Sequence, residues 1–136
     1  RGMLKEMFDG GFQGRVWLYF GVKYRDAVLY DSEFESYRKH SNFFYVRALS
    51  REEKNPIPAE VPTRGNRMYV QVKMYQDRST LGEALLKPDS MVFLCGLKGM
   101  EDGIFPVLDK IGQELGMKES FAAKLKAERR LKVEVY

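Results

Sequence analysis

The stretch Arg15-Val16-Trp17-Leu18-Tyr19-Phe20-Gly21-Val22 decides the fold. Aromatic and β-branched residues occupy both parities, as expected for a strand covered on two faces in a parallel sheet. The apolar run is far shorter than the roughly 20 residues that a membrane-spanning helix requires. Two more runs of the same character follow, at residues 43–49 and 91–95, and a short alternating strand closes the chain at residues 131–136. Helical patterns separate them. Residues 2–8 put Met3, Leu4, Met7 and Phe8 on one face before Asp9-Gly10-Gly11. Ser32 with Glu35 predicts a capping box opening a helix to about His40. Residues 68–87 predict two helical pieces, with Thr80 and Glu83 capping the second and Pro88 blocking its extension. Further helices are expected over 100–115, stopped by Gly116, and over 119–130, with Phe121 and Leu125 inward.

Strands alternating with helices define an α/β protein with a doubly wound parallel sheet. In such sheets ligands bind beyond the carboxyl ends of the strands, where strand order reverses. The positions to inspect are therefore Gly21-Val22, Ser50-Arg51, Cys95-Gly96 and the terminus.

Composition narrows the function. The 136 residues are 44% apolar and 31% charged, which fits one globular domain. The single Cys95 cannot form an internal disulfide, and no Cys or His spacing suits zinc. The net charge is +4, and residues 118–132 carry six basic residues against two acidic ones, so the whole excess lies there. Such a stretch is either a solvated helix face or an attractor for an acidic partner. Nucleic-acid binding is disfavoured, because no exposed aromatics interleave the basic residues and no recognition motif is present.

At the second strand end, Ser50-Arg51 is followed, beyond a long loop at 52–66, by Arg67 and Tyr69. Two guanidinium groups suit a dianionic phosphate and the Tyr can stack on a base, although scattered surface ion pairs would use the same residues. Loops of that length are functional or mobile. At the third strand end, Gly96 and Gly99 in Cys95-Gly96-Leu97-Lys98-Gly99-Met100-Glu101 allow backbone to approach a ligand ahead of a helix N-terminus. Glycine also serves ordinary strand-to-helix turns, and a lone Cys is commonly an inert buried thiol. In Val133-Glu134-Val135-Tyr136, Glu134 and Tyr136 share one strand face.

Four motifs then occur together: Ser50-Arg51-Glu52, Arg67-Met68-Tyr69-Val70-Gln71, Cys95-Gly96-Leu97-Lys98-Gly99-Met100-Glu101 and terminal Val133-Glu134-Val135-Tyr136. In order and spacing, apart from an altered 52–66 loop, the chain resembles the carboxyl-terminal nucleotide-binding half of plant-type ferredoxin:NADP reductases. The resemblance implies a Rossmann-like NADP(H)-binding domain over residues 1–136. It also implies electron transfer between NADP(H) and ferredoxin or flavodoxin through FAD. By the same resemblance Ser50, Arg51, Arg67 and Tyr69 hold the 2′-phosphate and adenine, with Gln71 nearby and Gly96, Leu97 and Glu101 completing the cofactor-binding set. Arg67 stands where the family usually has Lys, which replaces a point charge by a planar fork. Cys95 is expected against the nicotinamide, Glu134 in proton relay and coupling to the carrier, and Tyr136 over the flavin ring. The family's flavin-binding half and its Gly-Thr-Gly-Ile-Ala-Pro type turn have no counterpart in residues 1–136, nor has the central strand feeding that turn. The expectation is a longer flavoprotein, in a plastid or a bacterial cytoplasm, of which this is the terminal portion. A reductase portion of an oxygenase or fusion protein and a non-catalytic nucleotide-binding module are the alternatives.

Overall fold

The computed structural model describes residues 2–27, 30–96 and 99–135. The deciding stretch is a strand, β1 (Val16–Val22), which pairs in parallel with β2 (Phe43–Leu49) from Val16↔Phe43 to Val22↔Leu49. Two helices cover one face of this pair, α1 (Gly2–Asp9) and α2 (Asp31–Tyr37). Leu4 and Phe8 of α1 and Phe34 of α2 join Phe43 and Tyr45 in a small core, against which Val16, Leu18 and Phe20 pack. Of the expected inward residues of α1, Leu4 and Phe8 are buried while Met3 is exposed. The alternate residues Trp17 and Tyr19 pack into a second, larger core. Both parities of β1 thus meet apolar partners, as its sequence predicts.

The second core is built by α3 (Val70–Gln76), α4 (Arg78–Leu85), α5 (Glu101–Glu114) and α6 (Phe121–Ala127) on the parallel pair β3 (Val92–Gly96) and β4 (Leu131–Val135). Val72, Leu108, Ile111, Phe121 and Leu125 are its most deeply buried side chains. The chain is therefore α/β with right-type parallel pairing, but its strands form two two-stranded sheets, β1-β2 and β3-β4. Among the described residues β1 and β3 each keep one edge without a strand partner. A continuous doubly wound sheet is not formed by these residues alone. The same core contains Ala48 and Leu94, so helices of one layer bridge both pairs.

Both capping boxes are corrected. Helix α2 starts after Tyr30, whose backbone is left-handed (φ 60), and Ser32 lies inside the helix. The Asp31 carboxylate accepts hydrogen bonds from Tyr45 Oη (2.8 Å) and Arg47 Nη1 (3.0 Å). Helix α4 starts after Asp77, not Thr80, and Asp77 accepts a 2.6 Å hydrogen bond from Tyr19 Oη instead of capping the helix. Ser120 does cap α6, its hydroxyl accepting from Ala123 N at 3.1 Å.

Candidate functional site

The chain leaves β2 by extending the parallel ladder beyond the strand: Ser50 N donates to Val22 O (2.9 Å) and Arg51 N to Lys23 O (3.0 Å). Main-chain bonds to the adjacent strand end thus fix Ser50 and Arg51. The two acids that follow Arg51 are engaged elsewhere. Glu52 accepts from Arg25 N at 3.0 Å, while Glu53 accepts from Leu49 N at 3.0 Å and pairs with Lys73 at 3.1 Å. Exposed Arg51 has no ion-pair partner among the described residues.

The 52–66 loop is organised from within. Asn55, 6% exposed, donates through Nδ2 to Val61 O (2.7 Å) and Thr63 Oγ1 (3.2 Å), and its Oδ1 accepts from Ile57 N (2.9 Å). Val61 is buried in the larger core and Ile57 packs against it. The loop, expected to be either functional or mobile, is pinned at Asn55 and Val61. The loop returns as an antiparallel bridge between Lys54 and Arg67. Arg67 is half-buried, and the left-handed Gly65 (φ 62) lies beneath it, where a side chain would come within 3.6 Å of Arg67 Nε. Arg67 likewise has no ion-pair partner among the described residues. Tyr69, half-buried, stands at the N-cap of α3. Two uncompensated guanidinium groups and a phenol are thereby held on ordered backbone, as a phosphate-and-base site requires.

Gln71, the second residue of α3, reaches toward α5. Its amide packs on Gly103, where an added Cβ would stand 2.5 Å from Nε2. Gly103 sits in the first turn of α5, two residues after half-buried Glu101. Gly21 performs a similar service on β1, since a Cβ there would lie 3.1 Å from Val70 Cγ1 at the start of α3. The two glycines let α3 seat closely between β1 and α5.

At the end of β3, Cys95 is exposed and pairs in register with Glu134 of β4, also exposed. Register partners on parallel strands present their side chains to one face. Phe93, 51% exposed, and Lys132 occupy the same face one repeat earlier. This face is uncovered, whereas Val92, Leu94, Leu131 and Val133 turn into the core. Cys95 is consequently not an inert buried thiol. Gly96 lies under Met100 Sδ, which would have to move aside for a side chain there. Leu97 and Tyr136 fall outside the described residues.

Ser50 and Arg51 thus follow β2 directly, Arg67 returns beside Lys54 and Tyr69 precedes α3, while Cys95 and Gly96 end β3 beside Glu134 of β4, with Gln71 in α3 and Glu101 opening α5. Sequence reasoning missed Asn55 and Thr63, whose side chains organise the loop; the Asn55-Pro56 pair marks a turn but not its burial. Arg130, counted in the basic stretch, is 7% exposed. Its guanidinium donates to Lys87 O (2.8 Å), Ser90 O (3.0 Å) and Leu85 O, closing the C-terminal end of α4. Among the described residues no group of three metal-ligating side chains occurs, and no helix is long and apolar enough to cross a membrane.

Parallel strand pairs under a helical layer, with glycines and free cations at strand carboxyl ends, define a dinucleotide-binding domain. The chain belongs to the oxidoreductase NAD-binding domain family, whose model matches residues 1–105. It is 41% identical over its whole length to the chloroplastic ferredoxin–NADP reductase root isozyme 1 of Arabidopsis thaliana, of which it covers 36%. It is 38% identical over its whole length to the chloroplastic root-type isozyme of Nicotiana tabacum, again covering 36%. With the ferredoxin–NADP reductase of Spirulina sp it shares 34% identity over 94% of this chain and 42% of the relative. The chain spans well under half the length of these curated relatives.

Proposed function

We propose that residues 1–136 form the NADP(H)-binding domain of a ferredoxin:NADP reductase, a flavoprotein moving electrons between NADP(H) and ferredoxin or flavodoxin. The observation that carries this reading is the pair of arginines, Arg51 just beyond β2 and Arg67 on the bridge to Lys54, neither with an ion-pair partner among the described residues. An NADP(H) 2′-phosphate is a dianion that two such groups fit, whereas the uncharged ribose hydroxyl of NAD(H) gives them nothing to neutralise.

Ser50, Arg51 and Arg67 bind the phosphate and Tyr69 stacks on the adenine. Gln71, Gly96 and Glu101 would contact the nucleotide from there toward β3, and the resemblance adds Leu97. When bound, the nicotinamide exchanges a hydride with FAD. Cys95 would position the ring carbon and Glu134 would relay a proton, while the resemblance assigns Tyr136 to the flavin. The residues fit NADP(H) as they stand. FAD finds no cradle among them and belongs to a domain preceding Arg1.

The uncovered β3–β4 face around Phe93, Cys95 and Glu134 supports such a covering domain. The unpartnered edges of β1 and β3 support a further parallel strand between them, supplied by the same upstream segment. A free edge is a pairing template that folded proteins cover. The family's chloroplastic and Spirulina members support a plastid or bacterial-cytoplasmic location.

The test is the full-length native protein. It should show a flavin absorbance, bleach with NADPH and reduce ferredoxin. A colourless protein that binds NADPH without reducing any carrier would overturn the reductase reading in favour of a binding module.

A further inference from the structure

Asn55 and Thr63 stand out because they are polar, well enclosed and directed at the chain itself. Asn55 Nδ2 donates to Val61 O and Thr63 Oγ1, and its own N–H donates to Asn66 O at 2.8 Å. Thr63 Oγ1, having accepted from Asn55, donates onward to Arg67 O at 2.6 Å. Arg67 N donates to Arg64 O at 3.3 Å, so the main chain of Arg67 is held on both sides. The connection runs from a buried amide through one hydroxyl to the peptide that carries a guanidinium. A hydroxyl that both accepts and donates sets direction as well as distance.

We infer that the Asn55–Thr63 relay is a positioning device for Arg67, and through it a determinant of affinity for the 2′-phosphate of the nucleotide. This inference rests on the proposed nucleotide site. Without the relay, the Arg67 carbonyl loses its side-chain donor, although main-chain bonds from Asn55 N to Asn66 O and from Arg67 N to Arg64 O still close the loop. The Arg67 fork would then sample more positions, and binding would have to order it. Asn55 and Thr63 do not touch the phosphate, so neither is a binding residue.

The test uses the full-length native protein and two probes, 2′-phosphoadenosine 5′-phosphate and 5′-AMP, titrated calorimetrically. Thr63→Val keeps the shape and removes the hydroxyl, while Thr63→Ser keeps it. Thr63→Val should weaken the 2′-phosphorylated probe about fivefold to tenfold, less than the loss of a whole charge-assisted contact because the guanidinium is loosened and not removed. It should leave 5′-AMP unchanged, and Thr63→Ser should bind like wild type. In an Arg67→Ala background the Thr63→Val change should have no further effect. Equal weakening of both probes, or an undiminished effect in the Arg67→Ala background, would overturn the relay. A wild-type protein that binds both probes equally would instead overturn the phosphate site itself, and the relay with it.

Discussion

Cys95 and Glu134 are register partners across the parallel pair β3–β4, and both side chains are exposed on a sheet face that no described element covers. Neighbouring parallel strands lie about 4.8 Å apart, so a thiol and a carboxylate share one small patch. Substituting either removes no core contact. Cys95→Ala and Glu134→Gln should therefore each change stability by less than about 0.5 kcal/mol. In the full-length protein Glu134→Gln should cut turnover with a one-electron acceptor by about 100-fold or more, the order contributed by a positioned acid or base, and Cys95→Ala by about tenfold or more through looser placement of the ring carbon. Stopped-flow measurement of flavin reduction and acceptor turnover separates the two residues. Because this is the chain's single cysteine, alkylation by iodoacetamide should label Cys95, and NADP should protect it.

Arg51→Ala removes a guanidinium held over no acidic neighbour. Its loss should weaken NADPH by about 10- to 100-fold, one charge-assisted phosphate contact being worth ~1.5–3 kcal/mol. NADH affinity should stay within about twofold. Steady-state KM values for both nucleotides check this, and parallel losses would show that Arg51 does not meet the phosphate.

Tyr19 donates its phenol proton to Asp77, and burial, followed by that hydrogen bond, holds its pKa well above the ordinary value. Burial and the bond to Asp31 do the same for Tyr45. A raised folded pKa gives stability that is complete below the unfolded phenol value of about 10 and declines as pH rises beyond it. Urea unfolding should accordingly show an alkaline fall in stability above about pH 10. Tyr19→Phe should cost about 1 kcal/mol at neutral pH and make that fall shallower. An alkaline limb unchanged in Tyr19→Phe would count against the assignment.

How much of this was legible beforehand depends on the range of the interactions. The run at 43–49 coincides with β2 because apolar, β-branched content is a local property of a covered strand. The Ser50-Arg51 and Cys95-Gly96 positions at strand ends follow from the same runs. The α2 start was misread because Tyr30 takes a left-handed backbone and Asp31 answers to Tyr45 and Arg47, fourteen and sixteen residues away. Arg130 belongs to a stretch that the sequence leaves open between a solvated face and a docking surface; apart from Glu128, its partners Leu85, Lys87 and Ser90 lie forty or more residues earlier. Asn55 was invisible for the opposite reason: its partners are near, but only the fold buries it.

Arg130 also supplies a stability prediction. Arg130→Met keeps the apolar stem and removes every donor to the end of α4, leaving carbonyls of Leu85 and Lys87 without that partner. The cost should be about 2 kcal/mol, the order of a hydrogen bond to a charged group, because Ser90 still donates to Leu85 O (3.3 Å) and Lys87 O (2.8 Å). Denaturant midpoints measure it, and a change below about 1 kcal/mol would mean that water replaces the guanidinium.

The burial of Arg130 sharpens what the basic stretch can do. Lys124 and Lys126 are exposed on α6, with Lys124 only 4.0 Å from Glu128 and Lys126 lying 4.8 Å over the Phe105 ring. Exposed charges steer an oppositely charged partner through its approach rate, an effect screened beyond about 8 Å at physiological salt. Neutralising Lys124 and Lys126 together should slow reduction of an acidic carrier at low salt and flatten its ionic-strength dependence, with kcat at saturating carrier unchanged. Including Arg130 in such a variant would confound the result, since the fold itself would loosen. A salt dependence identical to wild type in the Lys124→Gln, Lys126→Gln protein would place the docking surface elsewhere and reduce the stretch to a solvated helix face.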